Sequence, residues 1–287
     1  MTMTRFGIFL VPQADDAART VARALGAEEL GLDLIGVQDH PYQKRFLDTW
    51  SLLAFIAART ERIRLTPDVA NLPLRPPAVL ATAAATIDVL SGGRFELGLG
   101  AGGFWDAIAA MGGPRRSGKE SVDALEEAIA VIRLMWSGEP SVSFQGEHYR
   151  IHGIKPGPPP AHPIGIWLGA YGPRMMRVTG RLADGWLPSV PRLPLDDIPE
   201  RQKAIDEAAR SAGRDPSEIR RIANVNGEIT DGARSGFLRG PAGQWVEDLR
   251  RLREDYGFQD FIFWGDGDPD TQVRRFAEDV VPALRES

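Results

Sequence analysis

The chain contains no cysteine, which excludes disulfides, thiolate nucleophiles and cysteine-ligated zinc together. Histidine is nearly as scarce, with four in 287 residues, and His148 and His152, the two closest in sequence, fall on a predicted hairpin. No metal site is expected. A dominant charge is also missing, since 34 Lys and Arg face 39 Asp and Glu for a net charge of −5. The basic residues are scattered among acidic ones, without the positive stripe that nucleic acid requires. No apolar run approaches a membrane span, and the first residues lead into a short run of strand length, not the long apolar core of a secretion signal. A cytoplasmic protein engaging neither nucleic acid nor membrane is expected. The chain also lacks a His-Glu-x-x-His helix, a Gly-x-Ser-x-Gly elbow and a Walker loop.

What is present is alternation. Short apolar runs at 5–11, 34–40, 64–71, 95–102, 164–170, 185–189, 219–229 and 258–265 alternate with helical segments, among them 14–30, 49–59, 77–91, 120–137, 173–183, 198–211, 244–256 and 271–285. In 120–137, Val122, Leu125, Ile129, Ile132 and Trp136 recur at spacings of three and four, which places them on one helix face. Eight βα pairs point to a parallel sheet closed into a (β/α)8 TIM barrel with right-handed crossovers, forming one domain over residues 1–287. A doubly wound open sheet is the alternative, and the absence of a linker-like composition break favours the barrel. Alternating polar and apolar residues over 142–153 predict a hairpin inserted before strand five. The stiff Pro156-Gly157-Pro158-Pro159-Pro160 connection follows it. Surface decoration is favoured for this insertion over a lid.

In such a barrel the site is assembled at the C-terminal ends of the strands. Strand four ends Leu97-Gly98-Leu99-Gly100-Ala101-Gly102-Gly103, an apolar run feeding into glycines that leave space for close approach to the backbone. A flat cofactor is the natural occupant. Strand two ends Gln38-Asp39-His40. The imidazole titrates near neutral pH and can pass a proton in either direction, and Asp39 or Gln38 would fix its tautomer. Strand five ends Gly169-Ala170-Tyr171-Gly172-Pro173-Arg174, a Gly-rich turn with proline just inside a helix, where backbone N–H groups and the helix dipole favour an anion. Trp186, Pro188, Ser189, Asn224, Asn226, Glu228 and Trp264 are further candidates for the pocket lining. The segment 231–240, with three glycines, reads as a loop near the mouth.

Several segments together resemble the luciferase-like monooxygenase superfamily, and within it the deazaflavin-dependent oxidoreductases that use coenzyme F420. They are Gly36-Val37-Gln38-Asp39-His40, Arg75-Pro76-Pro77, Ser91-Gly92-Gly93-Arg94-Phe95-Glu96 with the glycine run after it, Leu168-Gly169-Ala170-Tyr171-Gly172-Pro173-Arg174, and the stretch 180–188. The likeness follows the family's order over most of residues 5–190. It implies a barrel with the cofactor at its mouth, a homodimer, and a non-proline cis peptide at Asp68-Val69 forming a bulge behind the tricyclic ring, although relatives carry a small residue where this chain has Asp68. In the family's sugar-phosphate dehydrogenases the histidine matching His40 transfers a proton, and a carboxylate stands where this chain has Gly103. A sugar-phosphate substrate is therefore disfavoured.

The expected enzyme moves a hydride between coenzyme F420 and a small organic substrate, with His40 as proton donor or acceptor. The ring would rest on Asp68 and Val69, beside Gly100 and Gly102. Asp39 and Asp106 would hydrogen-bond the cofactor's polar edge or tail, and Gly169, Ala170, Tyr171, Gly172, Arg174 and Met175 would bind its phosphate. The alternatives are an FMN-dependent monooxygenase using oxygen and a partner reductase, a non-catalytic flavin-binding barrel, and a metabolic barrel enzyme that takes a phosphorylated substrate.

Overall fold

The alternating runs form a closed parallel sheet wrapped by helices, in a computed structural model that describes residues 3–286. The barrel strands are β1 (Arg5–Leu10), β2 (Leu34–Val37), β3 (Arg64–Pro67, resuming at Ala70–Asn71), β4 (Leu97–Gly100), β5 (Ile166–Leu168), β6 (Gly185–Trp186), β7 (Arg220–Ile229) and β8 (Asp260–Gly265). Around the ring they run β3-β2-β1-β8-β7-β6-β5-β4, with Phe6 opposite Phe261, Ile8 opposite Ile35 and Leu97 opposite Ile166.

The ring closes through strand three. Its first half pairs with β2, Leu65 opposite Ile35, and its second half pairs with β4, Ala70 opposite Leu99. The Leu65 N–H also donates to Arg94 O (2.8 Å), and the Glu96 N–H donates to Leu65 O (2.9 Å). Between the halves lie Asp68 and Val69, joined by a cis peptide bond. Several strands stop two or three residues sooner than their apolar runs, as β2 does at Val37 and β4 at Gly100. The residues beyond turn out of the ladder to line the mouth.

The helices are α1 (Ala17–Glu29), α2 (Thr49–Ala57), α3 (Pro77–Ser91), α4 (Trp105–Ala110), α5 (Gly118–Met135), α6 (Pro173–Leu182), α7 (Ile198–Ser211), α8 (Ala242–Glu254), α9 (Pro269–Arg275) and α10 (Val281–Arg285). Helix α5 begins before the apolar periodicity because Ser117 caps it. The Ser117 hydroxyl accepts from the Glu120 N–H (3.3 Å), and Glu120 Oε2 accepts from the Ser117 N–H (2.6 Å). Val122, Leu125, Ile129 and Ile132 are buried as their spacing requires. Trp136 lies just past the helix end, and its indole N–H donates to Ala81 O (2.9 Å). The short α4 has too few apolar positions to be seen by periodicity.

The hairpin pairs Val142–Gln145 with Arg150–Ile154. Glu127 on α5 holds its turn by accepting from the N–H groups of Glu147, His148 and Tyr149. None of its residues reaches the barrel mouth, so it decorates the surface. The segment 231–240 does not line the mouth either: Arg239–Gly240 pairs with the end of β7.

The core has two layers. The larger fills the space between strands and helices, and a smaller group, Leu34, Trp167, Leu187, Ile222 and Ile262, fills the barrel itself. Among the described residues no helix is long and apolar enough to cross a membrane. Because Ile262 is fully buried within the smaller group, Ile262→Ala should lower unfolding stability by about 3 kcal/mol in urea titrations. Lys203→Ala, on the solvent face of α7, should cost less than ~0.5 kcal/mol.

Candidate active site

A cavity of about 1090 Å³ opens at the C-terminal ends of the strands, large enough for a tricyclic ring with its side chain. The structure brings all but one of the expected site residues to it: Asp39, His40, Asp68, Val69, Gly100, Gly102, Gly169, Ala170, Tyr171, Gly172, Arg174 and Met175. Ser189, Asn224, Asn226 and Trp264 also line it. Asp106 does not. It lies in the first turn of α4 with its side chain 94% exposed and paired to Arg115. The chain takes a left-handed conformation at Phe104 (φ 50°), which turns that aromatic ring, and not the next carboxylate, toward the mouth.

Trp186, Pro188 and Glu228 are likewise absent from the lining. Trp186 is fully buried against Phe258, and its indole N–H donates to Ala170 O (2.9 Å).

The glycine run serves a purpose different from the one expected. A Cβ on Gly98 would meet Pro67 O at 2.1 Å, and one on Gly100 would meet Val69 Cγ2 at 2.8 Å. The space is taken by the protein's own strand three, at and just before the bulge. A Cβ on Gly169 would meet Val69 Cγ2 from the other side at 3.1 Å, so Val69 is seated between β4 and the end of β5 as a ledge in the cavity.

His40 stands at the end of β2, packed against two aromatic rings. Its Nδ1 is 2.6 Å from the Tyr42 hydroxyl, and the Phe104 ring stands edge-on with centroids 5.4 Å apart. Burial pulls its pKa below the usual histidine range, Asp39 opposes this, and Arg192 adds to the lowering. Burial and the charge of Asp39 raise the Tyr42 phenol to about 12, so the phenol keeps its proton. We assign it as donor to Nδ1, which leaves the neutral imidazole with its proton on Nε2, an atom without a protein partner. On that assignment the tautomer is fixed by Tyr42, two residues onward, whereas neither Asp39 nor Gln38 hydrogen-bonds the ring among the described residues.

Asp39 is occupied with holding the mouth together. Its Oδ2 accepts from the Asn71 N–H (3.0 Å) and lies 3.6 Å from Arg75 Nε. Asp68 points across the barrel, and its Oδ1 accepts from Asn224 Nδ2 (2.9 Å). Four buried oxygens of these lining residues lack any donor: Asp39 Oδ1, Asp68 Oδ2, Asn71 Oδ1 and Asn224 Oδ1. Buried acceptors of this kind are normally satisfied, so the cavity fits a ligand that brings several N–H or O–H groups.

At the opposite side, α6 begins on the cavity with Gly172 as cap and Pro173 in its first turn. The Arg174 guanidinium is already engaged, by Asp123, Glu126 (3.4 Å) and Lys119 O (3.2 Å). The free N–H groups of the first turn therefore carry this end of the site.

Sequence reasoning missed Tyr42, Phe104, Lys119 and Arg192, all of which line the cavity. They lie in loops or on a helix that follows an unanticipated turn, where spacing in sequence says nothing about direction.

A family model for luciferase-like monooxygenase matches residues 1–235, and the chain belongs to that family. It is 30% identical to an F420-dependent glucose-6-phosphate dehydrogenase from Intrasporangium calvum, over 92% of this chain and 94% of that protein. It is 33% identical to a phthiodiolone/phenolphthiodiolone dimycocerosates ketoreductase from a Mycobacterium species, over 73% of this chain but only 61% of that longer protein. In structure it is similar to an F420-dependent secondary alcohol dehydrogenase solved with an F420-acetone adduct, with a TM-score of 0.88, 18% identity and 99% coverage of both chains.

The assigned hydrogen bond can be tested without any ligand. Tyr42→Phe removes a donor that favours the neutral imidazole, so the His40 titration followed by NMR should move up toward the ordinary histidine range. A downward shift would mean that Nδ1 is the donor.

Proposed function

We propose that this protein is an oxidoreductase that transfers a hydride between a deazaflavin, coenzyme F420, and a small organic substrate. The observation that carries the reading is His40, held through Nδ1 by Tyr42 and lining a cavity whose floor bears four unpaired buried acceptors. When bound, the deazaflavin supplies or accepts the hydride, and the rest belongs to the protein.

Val69, seated against Gly100 and Gly169, supports one face of a flat ring. Asp39 Oδ1, Asn71 Oδ1 and Asn224 Oδ1 accept from ligand N–H and O–H groups. The first turn of α6 binds a phosphate through Gly172, Arg174 and Met175, beside Ala170 and Tyr171. In carbonyl reduction the carbonyl carbon gains the hydride while His40, having first taken a second proton on Nδ1, gives its Nε2 proton to the oxygen and is left neutral with its proton on Nδ1. In alcohol oxidation that Nδ1–H form takes the hydroxyl proton on Nε2 and becomes the imidazolium.

A sugar phosphate remains disfavoured. Gly103 has no side chain to offer, and a Cβ there would meet nothing within 4 Å, so that wall of the pocket is open.

The same reading includes a homodimer. The solvent face of α3 carries Val79, Thr82, Thr86, Val89 and Leu90 without a charged residue, and Phe55 on α2 is half exposed. An uncharged face of this kind suits burial against a second copy.

Fluorescence titration with F420 and, separately, FMN tests the cofactor. Binding of F420 alone is expected, and binding of FMN alone would promote the oxygen-using alternative. With F420 and a panel of small alcohols and carbonyl compounds, His40→Ala should lower kcat about 10²- to 10⁴-fold while changing F420 affinity little. Unchanged turnover would remove the role given to His40. For the assembly, sedimentation should show a dimer that Leu90→Asp converts to monomer, and a monomeric wild type would end that part of the proposal.

A further inference from the structure

Asp68 and Asn224 face each other across the barrel mouth from β3 and β7, each with one group satisfied and one not. Asn224 Nδ2 donates to Asp68 Oδ1 (2.9 Å), while Asp68 Oδ2 and Asn224 Oδ1 are both buried without a donor. A proton on Asp68 Oδ2 removes the buried charge and turns that unpaired acceptor into a donor, while Oδ1 keeps the hydrogen bond from Asn224.

Nothing charged compensates the ionised form. Asp68 meets Asn224 from β7 and the space over Gly36 on β2, and Phe9 on β1 and Trp264 on β8 line the same cavity. A Cβ on Gly36 would lie 2.8 Å from Asp68 Oδ2, so the missing side chain is what admits the carboxyl to the barrel interior. The ionisable groups on the same cavity are engaged elsewhere or stand apart. Asp39 is with Arg75 and His40 with Tyr42, while Lys119 and Arg174 are with Asp123. Arg192 and Tyr42 make no hydrogen bond or ion pair with Asp68 either.

We propose that Asp68 is held as a neutral carboxylic acid, hydrogen-bonded by Asn224, and that this acid–amide pair gives the ring-binding cavity an uncharged floor that ionises as pH rises. The ionised floor sets a buried negative charge beneath the ligand, where water cannot screen it. Burial raises the Asp68 pKa to about 7, and the hydrogen bond from Asn224 opposes the rise. The floor therefore changes charge within the working range of an ordinary enzyme. Asp68 acts here as a positioning residue whose protonation sets ligand affinity. The protonation itself stands without the cofactor assignment, whereas its effect on affinity rests on that assignment.

Infrared difference spectra between wild type and Asp68→Asn, recorded without ligand, read the first part. A protonated-carboxyl carbonyl band that belongs to wild type, is present at pH 6 and is lost by pH 9, is expected. Asn224→Ala should move the band toward that of a less strongly hydrogen-bonded acid. Absence of the band at pH 6 overturns the proposal.

Stability gives an independent sign. With the folded pKa raised from 3.8 to about 7, the contribution of Asp68 is fully present below 3.8 and is lost as pH rises through 7. Wild type should therefore lose Tm relative to Asp68→Asn over that window.

The second part is read by Kd for F420 in wild type and Asp68→Asn, taken as a ratio at each pH so that the ligand's own titration cancels. The ratio should be flat below pH 7 and rise about tenfold per pH unit above it. A ratio equal at pH 6 and pH 9 overturns the floor's role. Should Asp68→Asn fail to fold, Asp68→Ser serves for all three readouts. An infrared band with no F420 binding would leave the acid–amide pair standing and remove the cofactor reading alone.

Discussion

The site depends on the break in strand three at Asp68 and Val69. A continuous strand there would send its side chains alternately into the barrel and into the helix layer. The break instead lets the strand leave β2, pair with β4, and turn two consecutive side chains to the same cavity. Val69 occupies the space left by Gly100 and Gly169, and Asp68 occupies that left by Gly36. Barrel closure and cavity floor are therefore built by the same few residues, and changes to either would be felt in the other.

Charge is arranged around that floor with a clear division. Cations stand toward the rim, at Lys119, Arg174 and Arg192, and two of the three are tied to Asp123. The floor holds acceptors, and among them one carboxyl, Asp39, faces an arginine while the other, Asp68, faces only an amide. Between rim and floor, His40 is kept neutral by burial and oriented by a phenol that does not give up its proton. A ligand with a flat ring, several hydrogen-bond donors and an anionic tail matches this distribution from floor to rim.

Much of the architecture was legible because it is written in periodicity and composition. All eight strands appear within their apolar runs, the hairpin falls where polar and apolar residues alternate, and the helix Gly118–Met135 buries the face its spacing marks. The strand-end rule for barrels then put most of the candidate residues on the cavity lining without knowledge of any contact. It failed at Asp106, where the left-handed Phe104 redirects the chain, at Trp186, on a ladder of two residues, and at Glu228, near the far end of the long strand β7. The glycine run was legible as a place of close approach, but not as to what approaches, since local sequence carries no record of a neighbour more than 30 residues away.

The sequence by itself determined the closed parallel barrel, the histidine at the end of β2 and the anion-favouring start of the helix Pro173–Leu182. Each follows from residues adjacent in the chain, through apolar period, residue type or the backbone chemistry of a helix end. Only the tertiary structure decided that the Tyr42 hydroxyl meets His40 Nδ1, that Val69 fills the gap in the glycine run and that Asp68 meets Asn224. These depend on direction in space between groups up to 156 positions apart, and direction is fixed by packing and not by residue identity.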